Sequence, residues 1–317
     1  MKAPSLIITG PTASGKTQFA LRCALALQER YGTEAEIVNA DGPQLHDELK
    51  IITAFPADTV FGRVRHRLYG ILCPNENPSA ALWLNLAMAQ IQRLQNENKI
   101  AILCGGTGFY LGALLNGISP IPKIPQNFRE EVAQKFRKLG REEFFRELTQ
   151  LDPDLAATLH PNNTQRILRA YEVAAHTGIP LTEWWRRGKI GRRGDFRVAV
   201  LRPSGDELRE RCLARIHKML EMGAVKEMAD FLGRYPNYDG PLSRIIGYAE
   251  ILDLMENRIT ESECVCRMDV RTRRYIKRQI TWFRNQLPTA IEIHDFGETA
   301  DIDALSFEDL RLPNSSI

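Results

Sequence analysis

Residues Gly10-Pro11-Thr12-Ala13-Ser14-Gly15-Lys16-Thr17 constrain this chain more than any other stretch. They follow the apolar run Leu6-Ile7-Ile8 directly and open an amphipathic segment that begins near Gln18. In a G-x-x-x-x-G-K-S/T loop between strand and helix, glycines let the backbone wrap an oxyanion with its N–H groups. The lysine adds a mobile positive charge, and the Ser/Thr hydroxyl can ligate Mg²⁺. The N-terminus of the following helix favours negative charge as well. A plain strand-to-helix turn needs the glycines but not Lys16 and Thr17 behind Gly15. The expected ligand is therefore phosphorylated, and the rest of the chain must say which one.

Around this loop, strand and helix alternate over residues 5–9, 15–31, 36–39, 79–97 and 100–104. That order predicts an α/β fold, a P-loop NTPase-like parallel sheet flanked by helices. Ligands of such sheets gather at the carboxyl ends of the strands. Three places qualify: the loop at Gly10, Asp41 just past Ile37-Val38, and Thr107 within Gly105-Gly106-Thr107-Gly108. Pro120, Pro122 and Pro125 then mark a boundary. They divide the chain into a first part of the core over 1–120, an inserted all-helical domain over 121–194, and completion of the core over 195–317. Helices are expected over 126–139 and 141–151, with another starting at Asn162 or Asn163. Residues 196–201 read as a strand rejoining the sheet, 205–286 as helices, 290–293 as a last strand, and the tail after Phe296 as peripheral. The stretch from Trp184 to Gly194 carries Arg186, Arg187, Lys189, Arg192 and Arg193. Its tryptophans can stack on bases or simply pack, and both readings stay open.

A net charge of +3 is too small to imply a polyanionic partner, but the charge is unevenly placed. Arg271, Arg273, Arg274, Lys277, Arg278 and Arg284 follow one another with no acidic residue between, interleaved with Tyr275, Trp282 and Phe283. On a helix, Ile276, Ile280, Phe283 and Leu287 share one face, while Arg271, Arg274 and Arg278 lie nearly opposite. An ordinary solvated face mixes signs, so this one favours a bound polyanion. No apolar run approaches the ~18 residues of a membrane span. Met1-Lys2 leads straight into a strand, so no cleaved leader is expected and the expected compartment is the cytoplasm. The six cysteines read as reduced thiols, and Cys264-x-Cys266 lacks the partners of a zinc site.

Further blocks stand in order behind the loop: Asn39-Ala40-Asp41 with Gln44; Gly105 to Leu111; His160-Pro161-Asn162 with Gln165 to Val173; Ile246-Gly247-Tyr248; and Thr272 to Arg284. With these blocks, over residues 6 to about 287, the chain resembles the bacterial tRNA dimethylallyltransferases, also called tRNA isopentenyltransferases. The resemblance implies transfer of a dimethylallyl group from dimethylallyl diphosphate to the exocyclic N6 of the adenosine immediately 3′ of the anticodon. The implied cofactor is Mg²⁺, and the implied partner is the tRNA anticodon stem-loop. A monomer with no membrane association is expected. By the same resemblance Gly10, Pro11, Thr12, Ala13, Ser14, Gly15, Lys16, Thr17 and Arg215 bind the diphosphate, with Thr17 on the metal. Asp41 matches the base that takes the N6 proton, and Thr107 a residue that contacts the adenosine; both are the implied catalytic residues. The implied tRNA contacts are Asp41, Gly42, Pro43, Gln44, Thr107, Arg129, Gln165, Arg166, Ile167, Leu168, Arg169, Arg244, Gly247, Tyr248, Lys277, Arg278, Gln279, Trp282 and Arg284.

The chemistry suits these residue types. A leaving diphosphate must be neutralised, a task for loop amides, Lys16 and a bidentate Arg215. An exocyclic amine has a delocalised lone pair, so a carboxylate that accepts its proton helps. The target base must also be splayed out of its stacked loop. Duller readings stay open from the residues alone: Asp41 as a turn cap or holder of a metal-bound water, Thr107 as a turn residue, Arg166 and Arg169 as surface ion pairs. Departures from the family pattern are Gly42-Pro43 where Ser-Met is common, Phe55 where a basic residue is usual, and Arg65-His66-Arg67 where Pro-His-His is usual. Arg67 is expected to compensate in charge. The rival reading, an ATP-using small-molecule kinase, lacks a Walker B aspartate at the end of the 100–104 strand and leaves the basic helix without a task.

Overall fold

The apolar runs become neighbours in one sheet. The computed structural model describes residues 5–57, 62–189 and 196–307. Strands β1 (Ser5–Thr9), β2 (Ala35–Asn39), β3 (His66–Arg67), β4 (Ile100–Cys104), β5 (Phe196–Leu201) and β6 (Ile291–Ile293) pair in parallel in the order β3-β2-β4-β1-β5-β6. Ile7 stands between Leu103 on one side and Val198 on the other. Strands covered on both faces need continuous apolar runs rather than alternation, and β1 and β4 are buried along their whole length.

Parallel pairing requires crossovers. The Lys16–Tyr31 helix supplies one and lays Phe19, Ala20, Cys23, Ala24 and Leu27 on the sheet. The Ala80–Asn96 helix supplies another. Ser79 caps it, with Oγ accepting from the Leu82 N–H at 3.1 Å. Beyond β5, the helices Gly205–Glu221, Ala224–Arg234, Tyr248–Met255 and Glu261–Gln286 build a second core around Ile216, Met228, Phe231, Ile251 and Met268.

The chain forms two compact units, Met1–Leu115 with Gly194–Ile317, and Asn116–Arg193. The second is helical among the described residues: Gln126–Leu151, broken at Gly140 (φ 76°), then Pro153–Ala156, Thr164–Thr177 and Leu181–Arg186. Its own core centres on Phe144, Leu148, Ile167 and Val173. Arg192, Arg193 and Gly194 of the basic stretch lie outside the described residues.

The segment after Phe296 is not peripheral. Ala300, Leu305 and Phe307 are buried in the core that holds Phe19, Leu27 and Ile293, because apolar residues spaced along an irregular segment reach the sheet without periodicity. Among the described residues no helix is long and apolar enough to cross a membrane.

Candidate active site

Three strands deliver the site. β1 ends at Thr9, and the 10–17 loop turns into the helix through Gly15, whose φ of 80° is left-handed. Thr12 is held from two sides: its N–H donates to Gln279 Oε1 at 3.1 Å and its Oγ1 accepts from Arg215 Nη1 at 3.2 Å. Past β2, Asn39 clamps the next turn. Its Oδ1 accepts from the Asp41 N–H at 2.8 Å, and its Nδ2 donates to Asp41 O at 3.1 Å and Leu68 O at 3.0 Å. Past β4, Gly105 lies so close to Ala40 that a Cβ there would stand 2.1 Å from the Ala40 carbonyl carbon. Thr107 then joins the two turns. Its N–H donates to Ala40 O at 3.2 Å, and its Oγ1 accepts from the Gly42 N–H at 3.0 Å.

These turns open on a cavity of about 730 Å³. Thr12, Lys16, Thr17, Asp41, Thr107 and Arg215 line its polar part, and Ile52, Ile216, Met219, Leu242 and Met268 an apolar part. Arg244, Arg271, Arg274 and Arg278 complete the wall. Among the described residues that line it, Asp41 is the one carboxylate. Burial pushes the Lys16 ammonium below the ordinary lysine range; Asp41 and Cys104 pull it back, and Arg215 pushes it further down. Burial also lowers Arg215, against the pull of Asp41. Tyr110 and Tyr275 are raised first by burial and then by the Asp41 charge, and Tyr69 by burial, then Cys104 and Asp41, so their hydroxyls stay protonated. The Cys104 thiol is pushed up to about 12, mainly by burial.

Similarity to known proteins follows the same lines. The family model described as IPP transferase matches residues 44–286. The chain belongs to the IPP transferase family. The tRNA dimethylallyltransferase of Zymomonas mobilis is 39% identical over 319 residues, covering 100% of this chain and 97% of that protein. That of Rhodospirillum centenum is 40% identical over 291 residues, with 90% of each covered. The crystal structure of the Bacillus halodurans tRNA isopentenylpyrophosphate transferase superposes with a TM-score of 0.63 at 28% identity, covering 92% of this chain and 90% of that one.

In this IPP transferase the cavity brings together Thr12, Lys16, Thr17, Asp41, Gly42, Pro43, Gln44, Thr107, Arg215, Arg244 and Arg278. Gly10, Pro11 and Ser14 are buried, which leaves their backbone as the part able to act. Lys277, Arg278 and Trp282 line a second, open groove of about 540 Å³ on the Glu261–Gln286 helix, and Arg284 is exposed further along. In the second unit Gln165 and Arg166 are exposed, whereas Arg129 and Arg169 both pair with Glu172. Leu168 packs partly against that unit's core.

Several sequence-based assignments need correction. Ile167 is 0% exposed in the core of the helical unit and cannot offer its side chain to RNA. Tyr248 is 5% exposed among Phe231 and Tyr238, with its hydroxyl donating to Tyr238 O at 3.3 Å. Neighbouring Gly247 is the left-handed cap (φ 102°) of the Tyr248–Met255 helix. Gln279 is a buried strut, accepting from the Thr12 N–H and donating to Gly106 O at 2.9 Å. Gln44, by contrast, keeps its place on the cavity wall, with Nε2 donating to Thr53 O and Ala54 O at 3.2 and 2.8 Å. Arg67 cannot compensate for a lost charge near the substrate, because it pairs at 2.7 Å with buried Glu36, which also holds Arg93.

Sequence reasoning missed the apolar wall and His46. The latter is 1% exposed, with Nδ1 on Cys73 O at 3.0 Å and Nε2 without a partner among the described residues. Nothing in a lone histidine after Gln44-Leu45 signals this.

Proposed function

We infer that this protein transfers the dimethylallyl group of dimethylallyl diphosphate to the exocyclic N6 of the adenosine 3′-adjacent to a tRNA anticodon. The observation that carries the reading is the pairing, in one cavity, of two desolvated cations, Lys16 of the 10–17 loop and Arg215 of the Gly205–Glu221 helix, with a single carboxylate at the end of β2. Membership of the IPP transferase family supports it.

The allylic C–O bond breaks and its electron pair leaves on the diphosphate. Loop amides, Lys16 and Arg215 meet that charge in a low-dielectric pocket, where fixed charges act most strongly. The N6 lone pair forms the new C–N bond, and the N6 proton passes to Asp41. Thr107, held on the Gly42 N–H, orients the turn that carries Asp41 and stands beside the amine. The apolar wall around Met219, Leu242 and Met268 suits the prenyl chain.

The Thr17 hydroxyl, a hard oxygen on the same wall, fits Mg²⁺, which takes few protein ligands and draws the rest from phosphate and water. Among the described residues no acidic, His or Cys cluster builds a fuller cage. When bound, the ion supplies neutralisation of the leaving diphosphate. The loop thus supports a P-loop NTPase-like fold whose triphosphate role has passed to a diphosphate. The exposed cations of the Glu261–Gln286 helix take phosphates of the stem-loop, and within the helical unit exposed Gln165 and Arg166 are the side chains able to contact RNA. This reading places the protein in the cytoplasm as a monomer.

The test is incorporation of label from dimethylallyl diphosphate into unmodified tRNA, with and without Mg²⁺. Transfer of label supports the reading. Hydrolysis or transfer of the ATP γ-phosphate, with prenyl diphosphates ignored, overturns it. A second expectation concerns RNA affinity. The double change Arg274→Glu and Arg278→Glu weakens all tRNAs alike by about tenfold or more, and reduces the log–log salt slope by about 1 per arginine. Filter binding across a salt series reads this, and unchanged affinity removes that face from the contact surface.

A further inference from the structure

After β6 the chain runs against the 10–17 loop. The Gly297 N–H donates to Ser14 O at 3.0 Å. A Cβ on Gly297 would stand 2.0 Å from Gly15 O, and one on Gly15 would stand 2.7 Å from both Gly297 N and Glu298 Oε2. Two backbones meet here with no room for a side chain on either. Arg22 of the Lys16–Tyr31 helix fastens the segment, its Nη1 donating to Gly297 O at 2.9 Å and Ala300 O at 2.8 Å. Arg211 holds it from the other side, with Nη1 on Glu298 Oε2 at 2.9 Å and the guanidinium 3.9 Å from the Phe296 ring centre. One turn further along the same helix, Arg215 reaches Thr12 Oγ1. The loop itself needs restraint. Ala13 holds a φ of 63°, left-handed for a residue with a Cβ, and such conformations persist only where the surroundings impose them.

We propose that residues 296–300 are a strap that sets the shape of the diphosphate loop, with Gly297 and Arg22 as positioning residues for the prenyl donor. The proposal deepens the function inferred above and rests on its reading of the loop. The strap lies beyond residues 44–286, the span the family model matches. Arg22 and Gly297 touch no reacting atom; they act through Ser14 and Gly15, whose backbone wraps the oxyanion.

Titration calorimetry of inorganic diphosphate and of dimethylallyl diphosphate into the full chain tests this, beside tRNA filter binding and steady-state kinetics. Arg22→Lys keeps the charge but loses the fixed guanidinium that spans two carbonyls. Gly297→Ala pushes the strap off the loop. Both variants are expected to weaken diphosphate about tenfold or more and to raise KM for the donor, with tRNA affinity unchanged, as misplacement by about an ångström costs up to ~100-fold. A general loss of fold would instead weaken both substrates. If Gly297→Ala does not fold, Arg22→Lys decides. A folded Arg22→Lys protein that binds diphosphate as the native chain does overturns the strap alone. A native chain that binds no diphosphate overturns the reading of the loop, and the strap's role with it.

Discussion

Replacement of Asp41 by asparagine is expected to lower the rate of prenyl transfer about 10²- to 10⁴-fold, the span associated with a positioned general base. Asparagine keeps the size of the side chain and most of its hydrogen bonding but cannot take a proton from N6. The backbone at this position should not move, since Asn39 holds both the N–H and the C=O of residue 41. Other groups are poorly placed to substitute. Tyr110 and Tyr275 are held protonated by burial, and Asp41 is the one carboxylate among the described residues lining the cavity. Single-turnover transfer of label, with tRNA and diphosphate binding measured separately, checks the prediction. Native-rate transfer by the variant would remove Asp41 from the chemistry.

Lys16→Met should reduce kcat/KM for the donor by about 10²- to 10³-fold, comparable to removing one preorganised donor to a developing anion. Its pH dependence has a definite sign. The charged ammonium is the form that attracts diphosphate, and burial holds its pKa below the ordinary lysine range. Donor affinity of the free native protein therefore falls as pH rises through that lowered value, earlier than an exposed lysine would allow. The variant should lack this alkaline limb altogether. Calorimetric donor affinity across a pH series reads both effects, and a native profile flat up to the range of exposed lysines would sink the argument.

The sheet was legible because β1, β4 and β5 are largely apolar runs with turn residues after them, and the 10–17 turn because its glycines mark a strand-to-helix connection. The short β3 was not, since the two residues His66 and Arg67 carry no pattern. Nor was the Gly108–Asn116 helix, whose run of glycines and apolar residues shows no helical stripe. The faces of the basic helix were read correctly in part: Ile276 and Phe283 are buried and Arg274 and Arg278 exposed, but Ile280 is only half-buried and Arg271 is spent on buried Glu250 at 2.7 Å. What periodicity could not reveal was the duty of Gln279, a polar residue on the buried face. Its two bonds reach loops 267 and 173 residues away in sequence. Ile167 and Tyr248 show the converse error. A motif carried over as a block names neighbours of a contact along with the contact itself, and burial separates them. The strap was invisible for a related reason, because Gly297 matters only through where Gly15 lies.

The desolvated cations of the cavity also bear on folding. Unfolding returns Lys16 to water, where its pKa rises to that of a free lysine, so the charged group destabilises the empty native state at neutral pH. That burden eases as pH rises through the lowered folded value towards the unfolded one. Arg215 adds to it, itself lowered by burial and disfavouring the Lys16 charge, with Asp41 as the shared counter-charge. The empty protein is therefore less stable than its apolar core alone would make it, and the weakly active Lys16→Met chain is expected to melt at a higher temperature than the native one in a thermal-unfolding scan. On the proposed reading, the diphosphate completes the charge balance of the native state, and the donor is expected to protect the fold by an amount that grows with the logarithm of its concentration relative to Kd.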